Sequence, residues 1–120
     1  MTNNFPNVVI VMARCNHNRQ PFGSRFEEKA RGQWLADWAF ALKETAARKE
    51  GYDRNEIVGV FGFDRAYPGC PHCHAISLFK CGCGRVACWD GDRNSVTCPW
   101  CGSIGKVSGP VHSLNGGDDL

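Results

Sequence analysis

Seven of the chain's eight cysteines fall between Cys70 and Cys101, and the eighth, Cys15, stands apart near the N-terminus. Three pairs recur at short spacing: Cys70-Pro-His-Cys73, Cys81-Gly-Cys83 and Cys98-Pro-Trp-Cys101, with Cys88 single between them. A turn of the C-x-x-C kind aims both sulfurs at one ion while its backbone amides point at the sulfurs and stabilise thiolate charge. Proline presets such a turn, and a glycine after the second cysteine supplies the positive φ it needs. Gly84 and Gly102 stand in that place, whereas His74 follows Cys73. Thiolates so arranged bind zinc tetrahedrally, four to an ion; the expectation is one or two Zn2+ ions, two being preferred. Redox C-x-x-C pairs sit alone at a helix start in a βαβ pattern, and iron–sulfur sites follow other spacings, so structural metal is the better reading.

The ligands can be shared in two ways. Cys81, Cys83, Cys98 and Cys101 have the layout of a zinc ribbon, with "RVACWD" and "SVT" as strands between the knuckles. That leaves Cys70, Cys73 and Cys88 wanting a fourth ligand, for which Cys15, His17, His72 and His74 are candidates, and gives an interleaved order like that of cross-brace domains. The alternative joins Cys70 and Cys73 to Cys98 and Cys101, leaving Cys81, Cys83 and Cys88 incomplete. Either way a fourth ligand comes from elsewhere in the chain, or only one ion binds. Cys15 is the obvious choice; its bland alternative is a buried free thiol. His72 and His74 read more simply as solvent-facing or supporting groups. "CNHN" could suggest a Cys–His nucleophile, but no acid partner or oxyanion donor accompanies it.

The elements that must position these groups follow from periodicity. "NVVIVMARC" (Asn7 to Cys15) is a β-branched apolar run and predicts a buried strand. "NHNRQP" is a turn, and the alternation Phe22, Ser24, Phe26 predicts a return strand and a hairpin, weakened by Gly23. From Glu27 to Glu50 the period changes: Trp34, Trp38, Leu42 and Thr45/Ala46 share a face at helical spacing, and Gly51 is the expected stop. "NEIVGVFGFD" (Asn55 to Asp64) predicts a strand burying Ile57, Val58, Val60, Phe61 and Phe63, and "RAYPG" a turn into the cysteines. The expected fold is therefore α+β: a ββαβ N-terminal part over residues 1–66 with one long helix, packed with a ribbon-like zinc module over 67–107. A flexible tail over 108–120 includes His112 and "NGGDDL", and 1–107 is expected to form one unit.

The chain has 120 residues, 42% of them hydrophobic and 22% charged, with net charge +2. That suits one compact domain or two very small ones. The balance is too mildly basic for a dedicated duplex-DNA binder. The N-terminal residues lack a signal-peptide pattern, and "VVIVMA" is too short to span a bilayer. A cytoplasmic protein is expected, where thiols stay reduced and eight cysteines argue for metal rather than disulfides. Lys80, Arg85, Arg93 and Lys106, with Trp89 and Trp100 as stacking surfaces, suggest single-strand nucleic-acid binding. Asp90 and Asp92 among them suggest instead a solvated mixed-charge face. No phosphate loop, carboxylate pair or nucleophile elbow appears, so no enzyme is expected.

"ARGQWLADWAFAL", "KEGYD", "YPGCPHC", "CGCG" and "CPWCG", in this order, resemble the TerY-C metal-binding domain family across roughly Val8 to Gly102. The cysteine spacing is the specific part of that resemblance. It implies a metal-binding module of the kind found C-terminal to TerY-type von Willebrand A domains, in bacterial tellurium-resistance and chemical-stress gene neighbourhoods. Those neighbourhoods can encode a kinase and a phosphatase, which implies an adaptor or scaffold role. The chain departs from the family in carrying no von Willebrand A domain and in having His74 where glycine is more usual. The expectation is a stand-alone binding module whose partner is another protein, without a membrane role.

Overall fold

In the computed structural model, residues 7–43, 55–107 and 113–118 are described, and among them every regular element is a strand. The strands are β1 (Val8–Arg14), β2 (Pro21–Ala30), β3 (Gln33–Ala41), β4 (Asn55–Val58), β5 (Val60–Phe63), β6 (Ser77–Lys80), β7 (Val86–Trp89), β8 (Ser95–Thr97), β9 (Ile104–Lys106) and β10 (Ser113–Asp118). The expected first strand and hairpin are present, with β1 and β2 antiparallel from Val8↔Glu27 to Arg14↔Pro21. Gly23 has a packing reason to be small. A side chain there would meet the Phe40 ring at 2.6 Å and Ile10 at 3.0 Å, so its absence lets Phe40 cover the outer face of the hairpin.

The long helix, and with it the α+β fold class, is overturned. Glu27 to Ala30 continue β2, and Gln33–Ala41 form β3 antiparallel to it; residues 44–50 of the expected helix lie outside the described residues. Two features made a strand read as a helix. Gly32, in mid-stretch, is the hairpin turn: it takes φ 75°, and its amide donates to Glu28 Oε2 at 2.9 Å. Beyond it a β-bulge interrupts the period of two. Arg25 pairs with Trp38 and Phe26 with Ala36, which leaves Asp37 as the extra residue. One inserted residue turns every later side chain to the opposite face. Trp34 and Ala36 are therefore buried, Trp38 is 55% exposed, and Ala39 is buried again. A bulged strand rich in alanine and tryptophan thus carries apolar residues at intervals that imitate a helix face.

The expected strand Asn55 to Asp64 is broken at Gly59 into β4 and β5, and this break closes the fold. The strand order is β4-β10-β1-β2-β3-β5, so the two ends of the path are consecutive stretches of one segment and the sheet curls onto itself. Gly59 takes φ 150°, and an added Cβ would lie 2.1 Å from the Gly32 carbonyl oxygen; Val60 N donates to that same oxygen at 2.8 Å. Burial on this segment is narrower than expected. Ile57 and Phe61 pack on the core, while Val58, Val60 and Phe63 are exposed. Within the expected tail, β10 pairs antiparallel with β1 (Val9↔Asp118) and with β4 (Leu114↔Ile57), and Leu114 is buried.

The free edge of β1 is shared. Val9 and Ile10 pair with β10, whereas Ala13 and Arg14 pair in parallel with Val86 and Ala87 of β7. β7 also pairs with β6, and β8 with β9 forms a separate two-stranded ribbon. Because side chains alternate along a strand, β7 serves two cores. Val86 and Cys88 join the main core with Val11, Phe22, Phe26 and Trp34; Ala87 and Trp89 join a small core with Phe79, Val96 and Cys98.

Candidate metal centres

The eight cysteines gather into two sets of four, and within each set every sulfur lies within 4.8 Å of every other. Cys15, Cys70, Cys73 and Cys88 form centre 1, and Cys81, Cys83, Cys98 and Cys101 form centre 2. Of the two sequence partitions the structure has the ribbon one, interleaved along the chain, with Cys15 as the fourth member of the incomplete trio. Cys70/Cys73 and Cys98/Cys101 are in different centres.

The spacing can be tested against an ion. Four thiolates at about 2.3 Å from a tetrahedral zinc-sized ion lie about 3.8 Å from one another. The Sγ···Sγ separations are 3.6 Å for Cys73–Cys88, 3.7 Å for Cys81–Cys101 and 3.8 Å for Cys83–Cys98. A disulfide needs about 2.05 Å, and all eight thiols are free. The donor set fits a soft divalent metal.

Three of the turns that hold these sulfurs are copies of one another. In the Cys98 turn, Cys98 N donates to Ser103 O (2.8 Å), Gly102 N to Cys98 O (2.9 Å) and Trp100 N to Cys98 Sγ (3.4 Å), with Gly102 at φ 78°. In the Cys70 turn the same bonds run from Cys70 N to Ala75 O, His74 N to Cys70 O and His72 N to Cys70 Sγ, with His74 at φ 67°. His74 thus takes the left-handed conformation without being glycine, which histidine does more readily than most residues.

The third copy was not read from the sequence. Cys15 N donates to Gln20 O (2.9 Å), Arg19 N to Cys15 O (2.9 Å) and His17 N to Cys15 Sγ (3.4 Å), with Arg19 at φ 63°. This is a knuckle whose second cysteine position is Asn18. The amides of Ala75 and Ser103 bond the sulfurs of Cys73 and Cys101, and Asn18 Oδ1 accepts the equivalent amide, from Gln20, at 2.9 Å. The coordination place comes from another strand. Continuing the β1–β7 register of Ala13↔Val86 and Arg14↔Ala87 brings Cys88 beside Cys15, and Asn16 N donates to Cys88 Sγ at 3.1 Å. The signal available in the sequence was the layout Cys15-x-x-Asn18 followed by a turn residue. The pairing of β1 with β7 had no local signal.

Among the described residues, no histidine belongs to either set. His17 and His74 are exposed, and His72 Nε2 lies 3.1 Å from Pro21 O with its ring edge-on to Phe22. The two centres differ in setting. Cys15, Cys70 and Cys88 are at most 1% exposed and belong to the barrel core, whereas Cys83 and Cys101 of centre 2 are exposed. Tyr67 links centre 1 to the sheet through its hydroxyl, 3.0 Å from the buried Ser24 hydroxyl, and burial pushes its pKa up to about 12. Between the centres, the Arg14 and Arg85 guanidiniums lie 4.1 and 4.9 Å from the Trp100 ring centroid, and Trp100 Nε1 donates to Val86 O at 2.8 Å.

Crowded thiols cannot all ionise on their own. Cys70 is drawn down to about 5, first by a hydrogen bond from Cys88, whose own pKa is pushed up for the same reason. In centre 2, hydrogen bonds from Ser103 draw Cys101 down to about 6, while burial raises Cys98 to about 12. A bound cation would displace the retained protons, so acid competes with metal at both centres.

A closed strand framework carrying two four-cysteine clusters defines a metal-binding protein. Residues 35–118 match the TerY-C metal binding domain family, and the chain belongs to it. Cys15, the fourth cysteine of centre 1, lies before the matched segment. No curated protein and no solved structure matches the chain. Among the described residues, no helix is long and apolar enough to cross a membrane.

Proposed function

We propose that the chain is a zinc-stabilised interaction module without chemistry of its own. In this reading it serves as a cytoplasmic adaptor or scaffold in a bacterial stress-response signalling system of the tellurium-resistance kind. The observation that carries the reading is that each cluster supplies four sulfurs from the protein, all within 4.8 Å of one another. A zinc ion with four thiolates has no open position for water or substrate, so it holds structure rather than activating a nucleophile. Zinc suits the site because it is redox-silent, accepts thiolates and imposes no other geometry. The partner, by family membership, is a von Willebrand A, kinase or phosphatase component on another chain.

Native mass spectrometry on protein purified without added metal tests the first part, with two zinc ions per chain expected. Co-elution with a TerY-type von Willebrand A protein, lost on chelation, tests the second. A chain that holds no metal, or binds that partner equally well after chelation, defeats the reading.

Nucleic-acid binding is the less favoured alternative. Trp100 has two guanidiniums over its ring and its Nε1 bonded to Val86, and Trp89 Nε1 donates to Arg93 O at 2.8 Å. Asp90 also pairs with Arg93. The rings expected as stacking platforms are therefore engaged within the protein. Salt-dependent binding of a labelled single strand would reverse this preference.

A further inference from the structure

The two clusters are alike in chemistry and unlike in access. Three of the four cysteines of centre 1, Cys15, Cys70 and Cys88, are walled in by the barrel, and Cys73 is half-buried. These cysteines sit among Val11, Phe22 and Val86, and a side chain at Gly69 beside Cys70 would meet backbone atoms at 2.8 Å. A cavity of about 300 Å³ touches it only at Cys88, which is 1% exposed. Centre 2 opens outward. Side chains added at Gly82, Gly84 or Gly102, in the turns that carry its cysteines, would meet nothing within 4 Å. All four of its cysteines line a cleft of about 950 Å³ between the barrel and the ribbon, which no cysteine of centre 1 reaches. Its sulfurs stand in cross-turn pairs, Cys81 with Cys101 at 3.7 Å and Cys83 with Cys98 at 3.8 Å; centre 1 has a comparable pair, Cys73 with Cys88 at 3.6 Å, so access and not sulfur spacing separates the two centres.

We propose that centre 2 is a hydroperoxide-reactive modification site, at which an exposed thiolate is oxidised and the cluster gives up its ion while centre 1 keeps its own. This rests on both centres holding metal. The Cys101 sulfur attacks the distal peroxide oxygen; an S–O bond forms, the O–O bond breaks, and hydroxide leaves. The Cys81 thiolate then attacks the sulfenic sulfur; an S–S bond forms, the S–O bond breaks, and a second hydroxide leaves. Two thiolates lose two electrons in all, and one hydrogen peroxide is reduced to two hydroxides. A disulfide removes two of the four ligands, so the divalent ion is released.

The mobility of the sulfurs required is small, since a pair at 3.7 Å must close to about 2.05 Å. The ribbon loses its metal cross-link and gains a covalent one, while the barrel, with its own ion, stays folded. The consequence is a module whose ribbon face alone responds to oxidant.

The test uses the full chain with metal bound and counted by native mass spectrometry. Hydrogen peroxide is added in the presence of a chromophoric zinc chelator, and released zinc, alkylation-mapped disulfides and barrel circular dichroism are followed together. One equivalent should be released at least tenfold faster than the second. The first disulfide should map to Cys81–Cys101 or Cys83–Cys98, with Cys15, Cys70, Cys73 and Cys88 still reduced. A thiol reductant plus zinc should restore two ions per chain. Release of both equivalents at one rate, first oxidation in centre 1, or oxidation without release overturns the proposal. A chain holding fewer than two ions before peroxide is added also overturns it, and that result alone points to failure of the metal reading itself.

Discussion

Cys15→Ser separates the tertiary assignment of centre 1 from every alternative. The substitution changes one atom at a residue that is fully buried, so its direct packing cost is small. Its cost through the metal is not. Structural zinc in small domains contributes an apparent ~10–16 kcal/mol of binding free energy, against a net folding stability of about 5–15 kcal/mol for a whole domain. Three remaining thiolates hold zinc far more weakly, and the apo cluster leaves crowded thiols inside the barrel. The expected outcome is one zinc per chain instead of two in native mass spectrometry. Urea unfolding followed by intrinsic fluorescence should show a loss exceeding ~3 kcal/mol, above the ordinary range for a single substitution. His17→Ala, His72→Ala and His74→Ala should each keep two ions, since none of these rings belongs to a cluster. Two tightly held zincs in Cys15→Ser with an unchanged urea midpoint would refute the assignment of centre 1.

Three further outcomes follow from the same geometry. Cys88→Ser alone should lose the centre 1 ion, and adding Asn18→Cys should restore it by completing the third knuckle; zinc stoichiometry reads both, and no recovery would mean the turn only superficially resembles the others. Gly59→Ala should destabilise by about 3 kcal/mol or more, because its Cβ would displace the Gly32 carbonyl that closes the sheet; thermal unfolding measures it, and a neutral result would argue against closure there. Tyr67 has a folded-state pKa raised to about 12, so its contribution is complete below pH 10 and lost as pH rises through about 12, worth roughly 3 kcal/mol at 1.36 kcal/mol per unit. Tyr67→Phe should lack that alkaline loss while costing ~1 kcal/mol at neutral pH through the Ser24 bond, and denaturant titrations across pH compare the two.

The legibility of the fold varied with how local each cause was. β1 announces itself by a β-branched run, β2 by the alternation of Phe22, Ser24 and Phe26 after a turn, and the strands around Cys88 and Val96 by short stretches between the cysteine knuckles. β3 does not, because the bulge at Asp37 shifts its phase and because alanine, leucine and tryptophan suit a helix as well as a strand. Gly32 was the missed cue: a glycine between two runs of similar length is a hairpin signal as well as a weak point in a helix. Family resemblance rested on the cysteine spacing and was sound even though the tryptophan stretch beside it folds differently from the helix its periodicity suggested.

The sequence by itself determined that this is a thiolate metal-binding protein. Cysteine type, knuckle spacing and turn-forming neighbours are properties of a few consecutive residues, and they dictate local geometry wherever the chain goes. It also limited the partition to two schemes and named Cys15 as a candidate. Only the tertiary structure decided between the schemes. The choice depends on which strands lie side by side, and the parallel pairing of β1 with β7 joins residues more than seventy positions apart through hydrogen bonds that any residue types could make. The same pairing buries one centre in the barrel and leaves the other at the cleft, a difference of surroundings that identical ligand chemistry does not encode.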